Sequence, residues 1–126
     1  MKAVVYDAGV LIAADRNDRR AWAEHRVRLE WGIVPLVPSA VLAQVSRSGR
    51  QVQLRRLLVG CNVVPLDERL AHRAGALLAL ARTSDVVDAV VVAVAVDQDA
   101  DIVTGDDKDI AHLVRAAKAN LRVLVE

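Results

Sequence analysis

The chain of 126 residues has no phenylalanine, one cysteine, one tyrosine and two tryptophans. Each shortage excludes something. The lone Cys61 cannot close an internal disulfide, and it has no partner for a cysteine-based zinc site. A reducing cytoplasm is the compartment this cysteine usage leads us to expect. With only Tyr6, Trp22 and Trp31 as aromatic residues, there is no row of rings on which bases could stack. Recognition of a nucleic acid would have to rest on backbone and shape. The longest apolar stretch, residues 89–96, is too short to span a bilayer. Met1-Lys2 runs straight into a short apolar run ending at Asp7, without the layout of a secretory signal.

What is present is aliphatic. Hydrophobic residues make up 54% of the chain, enough for a core without staples, and the length suits one domain over residues 1–126. The net charge of +1 hides an asymmetry: residues 1–63 carry 10 basic and 5 acidic groups, residues 64–126 carry 7 and 11. An acidic pocket beside a basic surface suits a metal-dependent enzyme acting on a polyanion. A general preference for arginine over lysine gives the same asymmetry, so composition alone does not establish RNA binding.

Strand and helix patterns alternate. Strands are expected at residues 2–6, 35–37, 62–66, 101–104 and 122–125. Helices are expected at 10–14, 18–31, 40–45, 51–59, 67–81 and 107–119, with Ser39 and Asp67 as N-caps. The segment 86–96 is ambiguous, because its valines favour a strand and its length favours a helix. We read it as a helix, apolar nearly all round and therefore buried. That choice puts Asp85 and Asp88, three apart, on one face. The alternation predicts an α/β sandwich: a parallel sheet of about five strands covered on both faces.

In such sheets ligands bind beyond the carboxyl ends of the strands. Asp7 follows the first strand, Asp106 follows the fourth, and Asp85 and Asp88 open the buried helix. Carboxylates brought together repel and take up protons unless a cation holds them. Oxygen-only ligands point to Mg²⁺ or Mn²⁺ rather than zinc. Such ions activate water against a phosphodiester. Each Asp taken singly is also a good helix cap, and Asp67 is read as a cap alone.

The ordered set of motifs resembles the PIN-domain family. VVYDAGVLIA is similar to its first motif, VPSAVLAQV to its second, SDVVDAVVVAVA to its third and IVTGDDKDI to its fourth. The resemblance covers essentially the whole chain and is closest to toxins of the VapC type. It implies a three-layer sandwich on a five-stranded parallel sheet with the first strand central. It implies a Mg²⁺- or Mn²⁺-dependent endoribonuclease, a homodimer, and inhibition by a cognate VapB-like antitoxin. Carried over by position, Asp7, Asp88 and Asp106 are the catalytic and metal-binding acids. Asp85 and Asp109 are helpers, and Thr104 orients the Asp106 side. The second motif departs from the family, with Gln44 where a glutamate is usual. A Gln offers a carbonyl oxygen but neither charge nor a base. Asp85 is the residue expected to compensate in part.

Arg16, Arg47, Arg50 and Arg55 are candidate RNA contacts, because guanidinium forks suit phosphate. They serve equally as contacts to an acidic partner or as a solvated helix face. His25, His72 and His112 fall on amphipathic helices and are read as surface or edge residues. Trp22 and Trp31 are read as packing residues in a core or dimer interface, and Cys61 as a small buried apolar side chain. A haloacid-dehalogenase-type phosphatase wants an acid where Gly9 stands. A receiver domain wants paired acids near the first strand and a late lysine that are missing. The remaining rival is a PIN fold without activity that binds RNA or protein.

Overall fold

The computed structural model describes residues 2–126. The elements in chain order are β1 (Val4–Tyr6), α1 (Ala8–Asp15), α2 (Arg19–Glu30), β2 (Leu36–Pro38), α3 (Ser39–Val45), α4 (Val52–Val59), β3 (Asn62–Val64), α5 (Glu68–Ala81), α6 (Val86–Gln98), β4 (Asp101–Thr104), α7 (Lys108–Ala116) and β5 (Val123–Val125). The strands form one parallel sheet in the order β3-β2-β1-β4-β5. Strand order therefore runs outward both ways from β1. The β1 sequence Val-Val-Tyr is buried along its whole length, as a strand covered on both faces must be.

The ambiguous valine segment is a helix. All seven residues Ala89 to Ala95 of α6 are buried, with α5 on one side and the sheet on the other. Burying that many aliphatic side chains outweighs the weak preference of valine for strands. Asp85 starts the helix by accepting the Asp88 N–H at 3.0 Å, and Asp99 ends it in the left-handed region.

Several sequence expectations need correction. Ser39 is the first residue of α3 rather than its cap. Its hydroxyl instead accepts the Leu66 N–H at 3.0 Å, tying α3 to the β3–α5 connection. The third strand stops at Val64, since Pro65 has no N–H to continue the ladder. The last helix stops at Ala116, and Lys118 turns the chain at φ 52°. Trp31 is 67% exposed and is no core residue. Trp22 does pack: it is half-buried and donates to the Ala14 carbonyl at 3.0 Å. Cys61 is only partly buried, and burial pushes its thiol up to about 12.

The largest departure is His25, which is buried at the core-facing side of α2. The Tyr6 hydroxyl, 2.8 Å from His25 Nδ1, joins α2 to the central strand, and Arg28 donates to the same hydroxyl at 3.1 Å. Arg28 also pairs with Glu126, at the end of the edge strand. Burial, helped by the nearby Arg28 charge, lowers the His25 pKa. The folded state thus resists protonation where the unfolded chain accepts it near pH 6.5. The resulting stability is complete above pH 6.5 and is lost as pH falls through the depressed folded value. Thermal melts should therefore show a lower Tm at pH 5 than at pH 7. His25→Gln, which can still accept from Tyr6 but does not titrate, should flatten that slope.

No helix among the described residues is long and apolar enough to cross a membrane.

Candidate active site

The carboxyl ends of β1 and β4 lie side by side, because Tyr6 pairs with Val103 in the parallel ladder. The register places Asp7 against Thr104. The Asp7 backbone N–H donates to the Val103 carbonyl at 2.9 Å. Asp7 is 8% exposed and each carboxylate oxygen takes one bond: Oδ1 accepts the Ala8 N–H at 2.8 Å, capping α1, and Oδ2 accepts the Thr104 hydroxyl at 2.8 Å. The Thr104 oxygen in turn accepts the Asp106 N–H at 3.2 Å. Thr104 is itself buried, so it is a fixed bracket between the first acid and the turn that carries Asp106. The expectation was that it orients the Asp106 side, and it contacts both.

Asp88 sits in the first turn of α6 and faces these strand ends. Its pKa is raised to about 7. Burial contributes most, followed by the carboxylates of Asp85, Asp7 and Asp109. That order describes the cluster. Asp85 is the nearest influence, reaching Asp88 from the helix cap, while Asp7 comes from the central strand and Asp109 from the first turn of α7. Asp106 is exposed, and its Oδ1 accepts the Lys108 N–H at 3.2 Å at the mouth of the site. Gln44 is exposed near the end of α3. None of these acids is in an ion pair among the described residues.

Among the described residues no three acidic, histidine or cysteine side chains stand close enough to hold a metal ion as placed. The donors themselves suit a hard divalent cation. They are all oxygens, none is in an ion pair among the described residues, and Asp88 is pushed towards its protonated form by burial first and by the neighbouring carboxylates second.

The basic residues form two groups that meet at the end of α1. Gln51 Nε2 donates to Asp15 Oδ2 at 3.1 Å, which brings the loop before α4 beside the α1–α2 connection. Gln51 Oε1 also accepts the N–H groups of Arg47 and Ser48, at 2.6 and 3.0 Å, so the loop is well braced. Arg16, Arg50 and Arg55 are exposed. Arg47 is partly committed, donating to the Ala43 and Ser46 carbonyls that close α3. Arg56, on α4, packs over the Trp22 ring at 5.7 Å.

Sequence reasoning did not find the contact between Gly9 and Gly105. An alanine Cβ at position 9 would lie 3.0 Å from both the Cα and the N of Gly105. Glycine in a helix's first turn is costly without a reason. Its presence two residues after Asp7 was the available signal of a close backbone approach.

Fold and site together define a doubly wound α/β protein whose acids gather beyond the carboxyl ends of its two central strands. The PIN domain model matches residues 4–116, and the chain belongs to that family. No curated protein matches it in sequence. Among solved structures it is similar to VapBC2 from Rickettsia felis bound to a promoter DNA fragment, at 15% identity and TM-score 0.74 over 98% of both chains. A toxin–antitoxin complex from Klebsiella pneumoniae matches at 19% identity and TM-score 0.69, over 86% of this chain and 91% of that one. DNA-bound VapBC from Salmonella typhimurium matches at 18% and 0.65, over 98% and 97%.

Proposed function

We propose that the chain is a metal-dependent endoribonuclease and the toxin of a VapBC-type pair, working as a homodimer restrained by a VapB-like antitoxin. The observation that carries this reading is the convergence of Asp7, Asp85 and Asp109 on Asp88 at the strand ends, braced by Thr104. The toxin–antitoxin complexes among its structural neighbours support the choice of partner. Asp7, Asp88 and Asp106 would hold Mg²⁺ or Mn²⁺, with Asp85 and Asp109 beside them. The ion would supply an activated water and charge neutralisation at the phosphate. The chain's own residues do the rest. Thr104 fixes the orientation of Asp7 by donating to its Oδ2, and Arg16, Arg50 and Arg55 bind backbone phosphates.

The test is cleavage of a total RNA pool by purified protein. Activity with Mg²⁺ or Mn²⁺ that disappears in EDTA is the expected result. No cleavage in either metal, from folded protein free of antitoxin, would sink the nuclease. A second reading, a PIN-fold module that binds RNA or protein without cutting, is favoured by one feature. Gln44 brings no charge to the site and lies exposed on α3. Asp85 is the residue we propose makes good that loss, so Asp85→Asn should weaken Mn²⁺ binding in calorimetry while Gln44→Ala barely changes it.

A further inference from the structure

We infer that Arg28 is a positioning residue of the site, holding the acid-bearing ends of β1 and β4 in register from α2. The inference rests on the nuclease reading above and adds to it a residue outside the acid cluster. The Arg28 guanidinium divides between two strands. Nη1 donates to the Tyr6 hydroxyl at 3.1 Å, and Nη2 pairs with Glu126, the residue after β5. Tyr6 is the last residue of β1 and immediately precedes Asp7. β1 and β5 are not neighbours: β4 lies between them, so the guanidinium straddles the strand that ends in Thr104. The Glu126 backbone N–H donates to the Thr104 carbonyl at 3.0 Å, and the Thr104 hydroxyl donates to Asp7 at 2.8 Å. The contacts therefore close a ring. It runs from Asp7 through Tyr6, Arg28, Glu126 and Thr104 back to Asp7. Arg28 is the member that comes from a packed helix rather than from a strand or the residue after one.

Each link of the ring is fixed at both ends. The side chains of Arg28 and Glu126 are 14% and 12% exposed, so their attraction is little screened by salt. Tyr6 is fully buried, its ring lies 5.4 Å from the guanidinium carbon, and its hydroxyl is 2.8 Å from His25 Nδ1. Glu24, one turn before Arg28 on α2, flanks the same guanidinium at 3.8 Å and is itself paired with Arg20 at 3.0 Å. A guanidinium presents its donors in a rigid planar fork, so it sets the spacing of its two acceptors as well as attracting them. A lysine ammonium is a single nitrogen on a flexible stem and sets no such spacing. Parallel strands that slide or twist apart at their carboxyl ends would carry Thr104 away from Asp7, and the fork resists that motion.

The experiment reads backbone hydrogen exchange on metal-free protein, beside RNA cleavage, for Arg28→Gln, Tyr6→Phe and Glu126→Gln. Four amides decide it. The Asp7 and Glu126 N–H groups, bonded to the Val103 and Thr104 carbonyls, mark the carboxyl ends of the strands. The Asp101 and Ile102 N–H groups, bonded to the Ala3 and Arg122 carbonyls, mark the amino ends. Arg28→Gln should speed exchange at least tenfold at the first two and less than threefold at the second two. An arginine that only stabilises the fold would speed all four alike. In cleavage, kcat should fall about tenfold with KM for RNA within twofold, because the acids are misplaced while the binding surface is intact. Tyr6→Phe and Glu126→Gln should each give part of both effects and add little in the Arg28→Gln background, as members of one network do. Tyr6→Phe keeps the buried ring, and it carries the test if Arg28→Gln does not fold. Uniform loss of protection, or an unchanged kcat, overturns the inference. Selective loss of protection in a protein that never cleaves RNA keeps the positioning role and sinks the nuclease. Cleavage by the parent, with protection lost uniformly in the variants, does the reverse.

Discussion

Asp88→Asn should lower RNA cleavage by about 10²–10³-fold and raise the melting temperature at the same time. The two effects have one cause. Asp88 is drawn out of water and placed among the carboxylates of Asp85, Asp7 and Asp109, which is why its pKa stands at about 7. Charge concentrated in this way is unfavourable to the fold and useful to a cation-dependent site. Losing one preorganised electrostatic contact costs roughly 10²–10³ in turnover. The amide keeps the shape of the side chain and removes its share of the repulsion. Relief of ~1 kcal/mol raises Tm by several degrees in a chain of this size.

The sign can be checked against pH. The folded-state pKa of Asp88 is raised, so the folded state holds its proton more firmly than the unfolded chain does. Its penalty is absent below the ordinary carboxylate range and grows as pH rises through about 7. The Tm gap between Asp88→Asn and the parent should be wide at pH 8, narrow as pH falls below about 7, and close only in the ordinary carboxylate range near pH 4. Adding Mn²⁺ at pH 8 should close it from the other side, by stabilising only the parent. A variant that melts lower than the parent at pH 8 would mean that Asp88 is a structural cap and no part of a charged site.

The placement of the candidate acids was largely legible in the sequence because each is tied to a local signal. Asp7 ends a valine-rich strand, and Asp85 and Asp88 share the first turn of a helix whose length set it apart from a strand. The sheet order, with β1 central, agrees with what the resemblance to PIN domains implied. What was not legible depends on distant partners. His25 looks like a surface residue on α2 until Tyr6, 19 positions earlier, is placed opposite it. Ser39 has every local mark of an N-cap, yet its hydroxyl serves Leu66, 27 residues away. The nearness of Asp109 to Asp88 depends on how α7 is laid against α6, which no spacing in the chain encodes.

The same dependence on a distant partner makes Gly9→Ala the most informative backbone substitution. On local grounds it should help, since alanine in place of a helical glycine is worth roughly 0.5–1 kcal/mol. Position 9 has no left-handed backbone to excuse the glycine. The contact decides against it. The new Cβ would meet the Cα and N of Gly105 at 3.0 Å, and both are backbone atoms that cannot rotate away. The turn after β4 must shift instead, and Thr104 is the strand residue from which it springs. Its bond to Asp7, at 2.8 Å, would lengthen, and Asp106 would move with it. Overpacking of this kind costs ~1–3 kcal/mol, and an ångström of misplacement in a reacting site can cost ~100-fold in rate. Gly9→Ala should therefore be less stable and about 10–100-fold less active. Gly105→Ala is the natural control, because its Cβ would lie 3.5 Å from Gly9 Cα, an ordinary contact, and it should be close to the parent in both respects. Thermal melts and RNA cleavage on the two variants decide the matter. If both alanines behave alike, the glycine pair is not what holds the two acid-bearing turns in register.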